Sequence, residues 1–162
     1  MKTLVAYYSL DGNTRRVAET IATAMAADLL YIRPRKEITA KGFWKYFLGG
    51  AQVTLGLTPK LAVFDRDPAD YDLILLGSPV WAGSFTPPVK AFLRSDAVRN
   101  KKIAIFYSHL GGADKTSARA QTEINRNNTF IGSLGLQAVA KHPEASCSQA
   151  VEWAKKLTAS VV

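Results

Sequence analysis

Apolar and polar residues fall in blocks along this chain, and the blocks keep two different periods. Thr3 to Tyr8 is a short, almost unbroken apolar run, which predicts a buried first strand. From residue 13 to 27 the period changes. Val17, Ile21 and Met25 recur at four-residue spacing on one face, with Arg15, Arg16 and Glu19 elsewhere, which predicts an amphipathic helix. Asp28 to Arg33 predicts a second strand, closed by Pro34, which disfavours helix at the residue before it. After a polar lead from Asp65 to Asp70, Asp72 to Gly77 is again nearly all apolar and predicts a central parallel strand. Ser78 to Thr86 reads as a loop, and Pro87-Pro88 opens a helix whose apolar face is Val89, Phe92 and Leu93. Lys101-Lys102 precede a fourth run, Ile103 to Tyr107. A second loop, Ser108 to Asp114, leads to a polar helix over 115–128. Residues 131–140 predict a fifth strand, weakened by Gly132 and Gly135. A closing helix over 147–159 aligns Val151, Ala154 and Leu157.

Strand and helix thus alternate about five times. That order implies an α/β fold, a parallel sheet with helices on both faces. Right-handed crossovers leave few arrangements. In such sheets ligands bind beyond the carboxyl ends of the strands, where the strand order reverses. The loops after strands one, three and four are residues 9–14, 78–86 and 108–114, each carrying glycine. A strand order of 2-1-3-4-5 brings all three to one crevice. No internal repeat, low-complexity stretch or second domain interrupts residues 1–162.

Residues 35–60 fit neither period. Four aromatics, Phe43, Trp44, Tyr46 and Phe47, lie between Gly42 and Gly49-Gly50, and a short helix is expected from about 41 to 52. Arg33, Arg35, Lys36, Lys41, Lys45 and Lys60 face only Glu37 in residues 31–60, so most of the chain's net charge of +8 is concentrated there. Such a patch favours an acidic partner, a nucleotide or an anionic surface, the alternative being a solvated basic face.

A length of 162 residues suits one domain. A single cysteine, Cys147, excludes an internal disulfide and fits a reducing cytoplasm. With only two histidines beside it, a protein-built zinc site is not expected. No stretch approaches the ~20 apolar residues of a membrane span. The apolar start is read as a strand rather than a signal peptide, since Asp11, Arg15 and Arg16 follow at once.

The stretch Ser9-Leu10-Asp11-Gly12-Asn13-Thr14 joins the first strand to the first helix. A tight glycine turn before a helix start exposes backbone N–H groups next to the positive end of the helix dipole, a recipe for binding an anion. Ser9, Asn13 and Thr14 can add donors. Taken alone, the same residues could equally be a helix start capped by Asn13 or Thr14 with no ligand.

These six residues resemble the FMN phosphate loop of the flavodoxin family, usually Ser/Thr-x-Thr-Gly-x-Thr. Gly77-Ser78-Pro79-Val80-Trp81-Ala82-Gly83 resembles that family's second, flavin-contacting loop. Tyr107-Ser108-His109-Leu110-Gly111-Gly112 falls where the third loop belongs. Order and spacing agree over essentially the whole chain. The resemblance implies a flavodoxin-like three-layer sandwich: a five-stranded parallel sheet of order 2-1-3-4-5 with helices on both faces, in one domain carrying a basic, aromatic insertion at about 35–60. It implies FMN, bound non-covalently by Ser9, Leu10, Asp11, Gly12, Asn13, Thr14, Ser78, Pro79, Val80, Trp81, Ala82, Gly83, Ser108, His109, Gly111 and Gly112.

The chemistry agrees with that reading. Phosphate suits a helix start with hydroxyl donors. Trp81 either stacks on the flat isoalloxazine or belongs to the core. Gly83 lets backbone approach the ring edge. Three departures stand out. Asp11 replaces the family's usual threonine, and a carboxylate there must point away from a phosphate. The third loop lacks the usual stacking aromatic; His109, Trp44 or Phe47 could replace it, or His109 is a plain surface residue. The pI near 9.7 is unlike a mostly acidic family.

Other classes lack their marks. There is no G-x-x-x-x-G-K-[ST] phosphate loop and no G-x-G-x-x-G after strand one. No aspartate ends strand three for phosphorylation, and His109 and His142 have no nucleophile elbow. The basic aromatic segment could suit nucleic acid, but the three loops already account for the fold and no nucleic-acid partner is expected. The expected function is an electron carrier between redox partner proteins, the basic segment docking acidic surfaces. The alternative is an FMN-dependent NAD(P)H:quinone oxidoreductase, with a small-molecule quinone as acceptor.

Overall fold

The structure, a computed structural model, describes residues 1–36, 51, 55–56 and 58–161. The strands are β1 (Thr3–Tyr7), β2 (Asp28–Tyr31), β3 (Leu73–Trp81), β4 (Ser84–Phe85), β5 (Lys102–His109) and β6 (Thr129–Gln137). The helices are α1 (Asn13–Met25), α2 (Pro87–Leu93), α3 (Thr116–Ile124) and α4 (Pro143–Val161). The sheet runs β2-β1-β3-β5-β6, all parallel, and β4 turns back antiparallel on β3. Apart from the extra hairpin strand, this is the expected 2-1-3-4-5 order.

Strand residues alternate between the two faces, and each face has its own helices. Val5, Tyr7, Leu73, Leu75, Ala104 and Phe106 pack with Val17 and Ile21 of α1 and Ala150 and Ala154 of α4. Leu4, Ala6, Ile74, Leu76, Ile103 and Ile105 pack on the other side with Val89 and Phe92 of α2 and Ala120 and Ile124 of α3. Leu73, Ile74, Leu75 and Leu76 are all fully buried, which is why β3 reads as a continuous apolar run.

The expected helix at 41–52, with Trp44 and Phe47, lies outside the described residues but for Ala51. Its surroundings are visible at the stem. Arg35 N donates to Lys60 O at 2.9 Å, and Ala62 N to Arg33 O at 2.8 Å. Around the bridge between Pro34 and Leu61, these bonds hold the two ends of the 35–60 segment side by side.

On the α2/α3 face, Arg94 donates from Nε (2.5 Å) and Nη2 (3.2 Å) to Glu123, and Arg126 lies 3.6 Å from the same carboxylate. Burial pushes the Glu123 carboxyl up, but the Arg94 bond and charge outweigh it, with help from Arg126 and Lys90. The net pKa is held below its ordinary 4.5. The folded value lies below the unfolded one, so this stabilisation is present above the ordinary value and is lost as pH falls through the folded value. Glu123→Gln is therefore expected to melt about 2–4 °C lower at pH 7. Its melting temperature should also fall less steeply between pH 5 and 3 than the parent's. Thermal melts across that range check this; parallel acid limbs would mean that the pair contributes nothing.

Candidate functional site

The site is built at the carboxyl ends of β1, β3 and β5. Beyond β1, Tyr8 N donates to Gly77 O at 3.0 Å, carrying the chain over the sheet edge. Gly12 then turns it with φ +86°, in the left-handed region that glycine enters without a Cβ penalty, and is the N-cap of α1. Its N–H donates to Ser9 Oγ at 3.1 Å, and its carbonyl accepts from Arg16 N at 3.0 Å. The cap is thus a residue without a side chain. Asn13 and Thr14 lie inside the helix, so neither plays the capping role that was the alternative for them. The N–H groups of the first turn need acceptors from outside the helix, and the turn holds no acidic side chain to answer the helix dipole.

Thr14 is almost fully buried, and its Oγ1 lies 2.9 Å from Ser108 Oγ at the end of β5. One hydroxyl donates to the other, which leaves one O–H of the pair free to donate elsewhere. The first and third loops are joined by this bond. Asp11 and Gly12 are exposed, and Ser9, Leu10 and Asn13 are half-buried.

The second loop is not a loop. β3 continues through Ser78, Pro79, Val80 and Trp81, reverses at Ala82 (φ 48°) and Gly83 (φ 67°), and returns as β4 with Trp81 opposite Ser84. Two left-handed residues between antiparallel strands match the strand twist, the favoured geometry of a two-residue hairpin. Ser78 Oγ accepts from Thr86 N at 3.0 Å and donates to Pro79 O at 2.8 Å, fully buried at the hairpin base. Trp81 is 6% exposed and meets Tyr8 edge-on at 5.7 Å between ring centroids. Of its two readings, stacking ring or core, the structure places its side chain in the core, because the extended backbone turns residue 81 inward beside Phe85. What the hairpin presents at its tip is backbone, at exposed Ala82 and half-buried Gly83.

In the third loop, Ser108 and His109 are the last residues of β5, in register with Leu136 and Gln137. The His109 ring lies 6.0 Å from that of Tyr107, and its Nδ1 is buried without a hydrogen-bond partner. Burial pushes the Tyr107 phenol above its ordinary 10, with Asp114 adding to the shift, so it stays neutral. Gly111 and Gly112 follow, both exposed. A Cβ on Gly83 would stand 3.3 Å from Gly112 O, so the second and third loops touch.

One residue at this edge was not legible in the sequence. Arg119 of α3 donates from Nη1 to Gly83 O at 2.9 Å and to Ala82 O at 3.3 Å, holding both carbonyls of the turn. In the sequence it is one cation in a polar helix pattern, with no spacing that ties it to residue 83.

A helix start capped by a glycine without a side chain, a spare hydroxyl proton, an orphaned His109 Nδ1 and a backbone-rich hairpin suit a ligand with an anionic end and a flat polar-edged body. The chain belongs to the flavodoxin family, whose model, described as Flavodoxin, matches residues 2–141. Among solved structures it is similar to a flavoprotein from Lactobacillus acidophilus NCFM in complex with FMN. The identity is 25%, with 87% of this chain and 97% of that one covered and a TM-score of 0.72. A protein of Bacteroides uniformis ATCC 8492, provisionally named a flavoprotein, is 24% identical over 95% of this chain and 97% of its own, with a TM-score of 0.79. Oxidised flavodoxin 1 of Bacillus cereus is 15% identical over 98% and 97%, with a TM-score of 0.60. The last two show the fold alone. No curated protein sequence matches the chain.

Proposed function

We propose that this flavodoxin-family chain binds FMN at the joined loops and passes electrons between redox partner proteins. The observation that carries the reading is the α1 N-terminus, which lacks an acidic side chain and is tied through Thr14 and Ser108 to the third loop. A phosphate would be held by the first-turn N–H groups with Ser9 and Asn13, and by the spare proton of the Thr14–Ser108 pair. The ring would rest against the backbone of Pro79, Val80, Ala82 and Gly83 on one side, and of His109, Gly111 and Gly112 on the other. Bound FMN supplies one-electron chemistry; the protein orients it and sets its electrostatics. Asp11 is exposed, and its carboxylate would have to point away from a phosphate held there.

Purified protein loaded with FMN is expected to show flavin absorption bands and to retain them through gel filtration. A colourless protein that takes up no added FMN overturns the reading.

No helix among the described residues is long and apolar enough to cross a membrane. The unpaired, half-buried Cys147 suits the reducing cytoplasm we assign it to. The basic residues around the 35–60 segment are the docking surface for acidic partners. Electron-transfer rates should accordingly fall steeply as ionic strength rises from 0.01 to 0.3 M, and stopped-flow kinetics that are flat in salt would remove this docking role. The second reading is an NAD(P)H:quinone oxidoreductase working at the same FMN site. Rapid oxidation of NADH or NADPH by the FMN-loaded protein with a quinone selects it; silence selects the carrier.

A further inference from the structure

The hairpin tip is held in a conformation that one of its two residues resists. Ala82 stands at φ 48° and Gly83 at φ 67°, in the left-handed region that glycine enters freely and alanine does not. Such backbone persists where its surroundings hold it. Among the described residues, the side chain that bonds to this turn from outside is Arg119 of α3. Its Nη1 donates to Ala82 O at 3.3 Å and to Gly83 O at 2.9 Å, and the guanidinium charge strengthens both bonds. The peptide between residues 82 and 83 is trans, so its N–H points opposite to its carbonyl, away from Arg119. Among the described residues, no backbone carbonyl accepts from Gly83 N. The tip therefore has its acceptors taken and a donor free, and Gly83 sits against Gly112 of the third loop. We propose that Arg119 is a positioning residue for the flavin: by keeping both turn carbonyls on the α3 side, it makes the hairpin tip offer N–H rather than C=O to the ring edge.

This role rests on the FMN reading. The ring-edge nitrogen of FMN accepts a hydrogen bond when oxidised and carries a proton to donate when reduced. A tip that offers a donor favours the oxidised cofactor, so the geometry Arg119 imposes lowers the midpoint potential. Its charge acts in the opposite sense, since a cation near the ring favours added electrons. The two effects differ in sign, so a measured potential separates them.

The FMN-loaded full chain is compared with Arg119→Met and Lys115→Met. Lys115 lies one turn earlier on the same side of α3 and makes no bond to the hairpin among the described residues, so its removal takes away an equal charge and no clamp. Both side chains are exposed, and both variants should fold. In Arg119→Met the ratio of affinities for reduced and oxidised FMN should rise about tenfold, the worth of one hydrogen bond, which reads as about 30 mV upward in the two-electron midpoint potential. Lys115→Met should leave the potential in place or lower it. In the FMN-free chain, the Ala82 and Gly83 amide NMR signals should move more in Arg119→Met than in Lys115→Met. A potential that falls in Arg119→Met would leave only a charge effect. One that stays while the melting temperature drops would leave only a structural brace. Either result overturns the inference, as do Ala82 and Gly83 signals that do not move. A chain that takes up no FMN overturns the flavin reading and this role together, whereas bound FMN with a falling or unmoved potential overturns this role alone.

Discussion

Gly77→Ala is expected to lower the melting temperature by about 5–10 °C, the effect of roughly 2–3 kcal/mol of overpacking in a domain of this size. A Cβ at residue 77 would stand 2.5 Å from Phe106 Cζ, 2.7 Å from Phe106 Cε2 and 3.0 Å from Thr14 Cγ2. Phe106 has little room to yield. It is 1% exposed, and its ring is packed edge-on against Trp153 of α4 at 6.4 Å. Thr14 is held in turn by its bond to Ser108. One methyl group therefore pushes on the sheet, on α4 and on the bond that joins two loops of the site. Differential scanning calorimetry measures the loss. Phe106→Leu in the same chain should recover part of it by vacating the ring's space. A single variant as stable as the parent would mean that the sheet relaxes freely at this point.

Gly83→Val should act on the cofactor more than on the fold. Residue 83 has φ 67°, a region that costs an L-residue roughly 1–2 kcal/mol, with branching at Cβ at the upper end. The new Cβ would also stand 3.3 Å from Gly112 O and 3.7 Å from Arg119 Nη1. The strain is relieved by re-orienting the turn peptides and loosening their bonds to Arg119. If those peptides border the isoalloxazine, the FMN dissociation constant should rise about tenfold and both flavin midpoint potentials should move. Gly83→Asn, which the left-handed region tolerates, should fall between parent and valine variant. Spectroelectrochemical titration against the parent tests this. Unchanged potentials and affinity in the valine variant would place the hairpin tip away from the ring.

The limits of the sequence reading show at Pro79. It follows the apolar run of β3, and proline lacks the N–H of a ladder residue, so strand was not expected beyond Gly77. In the fold, Pro79 lies in register with Ser108 of the parallel neighbour, and the strand continues to Trp81. The hairpin carries no turn signal in the sequence for a related reason. Its turn is Ala-Gly, and Ala82 adopts the left-handed region without being Asn, Asp or Gly, the residues that signal such turns. At β6, Gly132 made the strand look weak, yet it lies beside the bulge where the pairing with β5 shifts register between Ile103 and Ala104. α4 begins at Pro143, four residues before its apolar pattern becomes visible, as suits a proline in a first turn.

The alternation of strands and helices, the apolar faces of α1 and α2 and the position of the phosphate-type turn were set by the sequence itself, because burial on both faces of a parallel sheet leaves a nearly continuous apolar run and a helix start leaves a local one. Only the folded chain decided which side chains at the sheet edge face inward. Ser78 and Trp81 went to the interior and Arg119 came to the hairpin carbonyls, since these outcomes depend on the strand pleat and on contacts between residues nearly forty positions apart. Periodicity reports what a segment buries; it carries no record of which distant group will meet it.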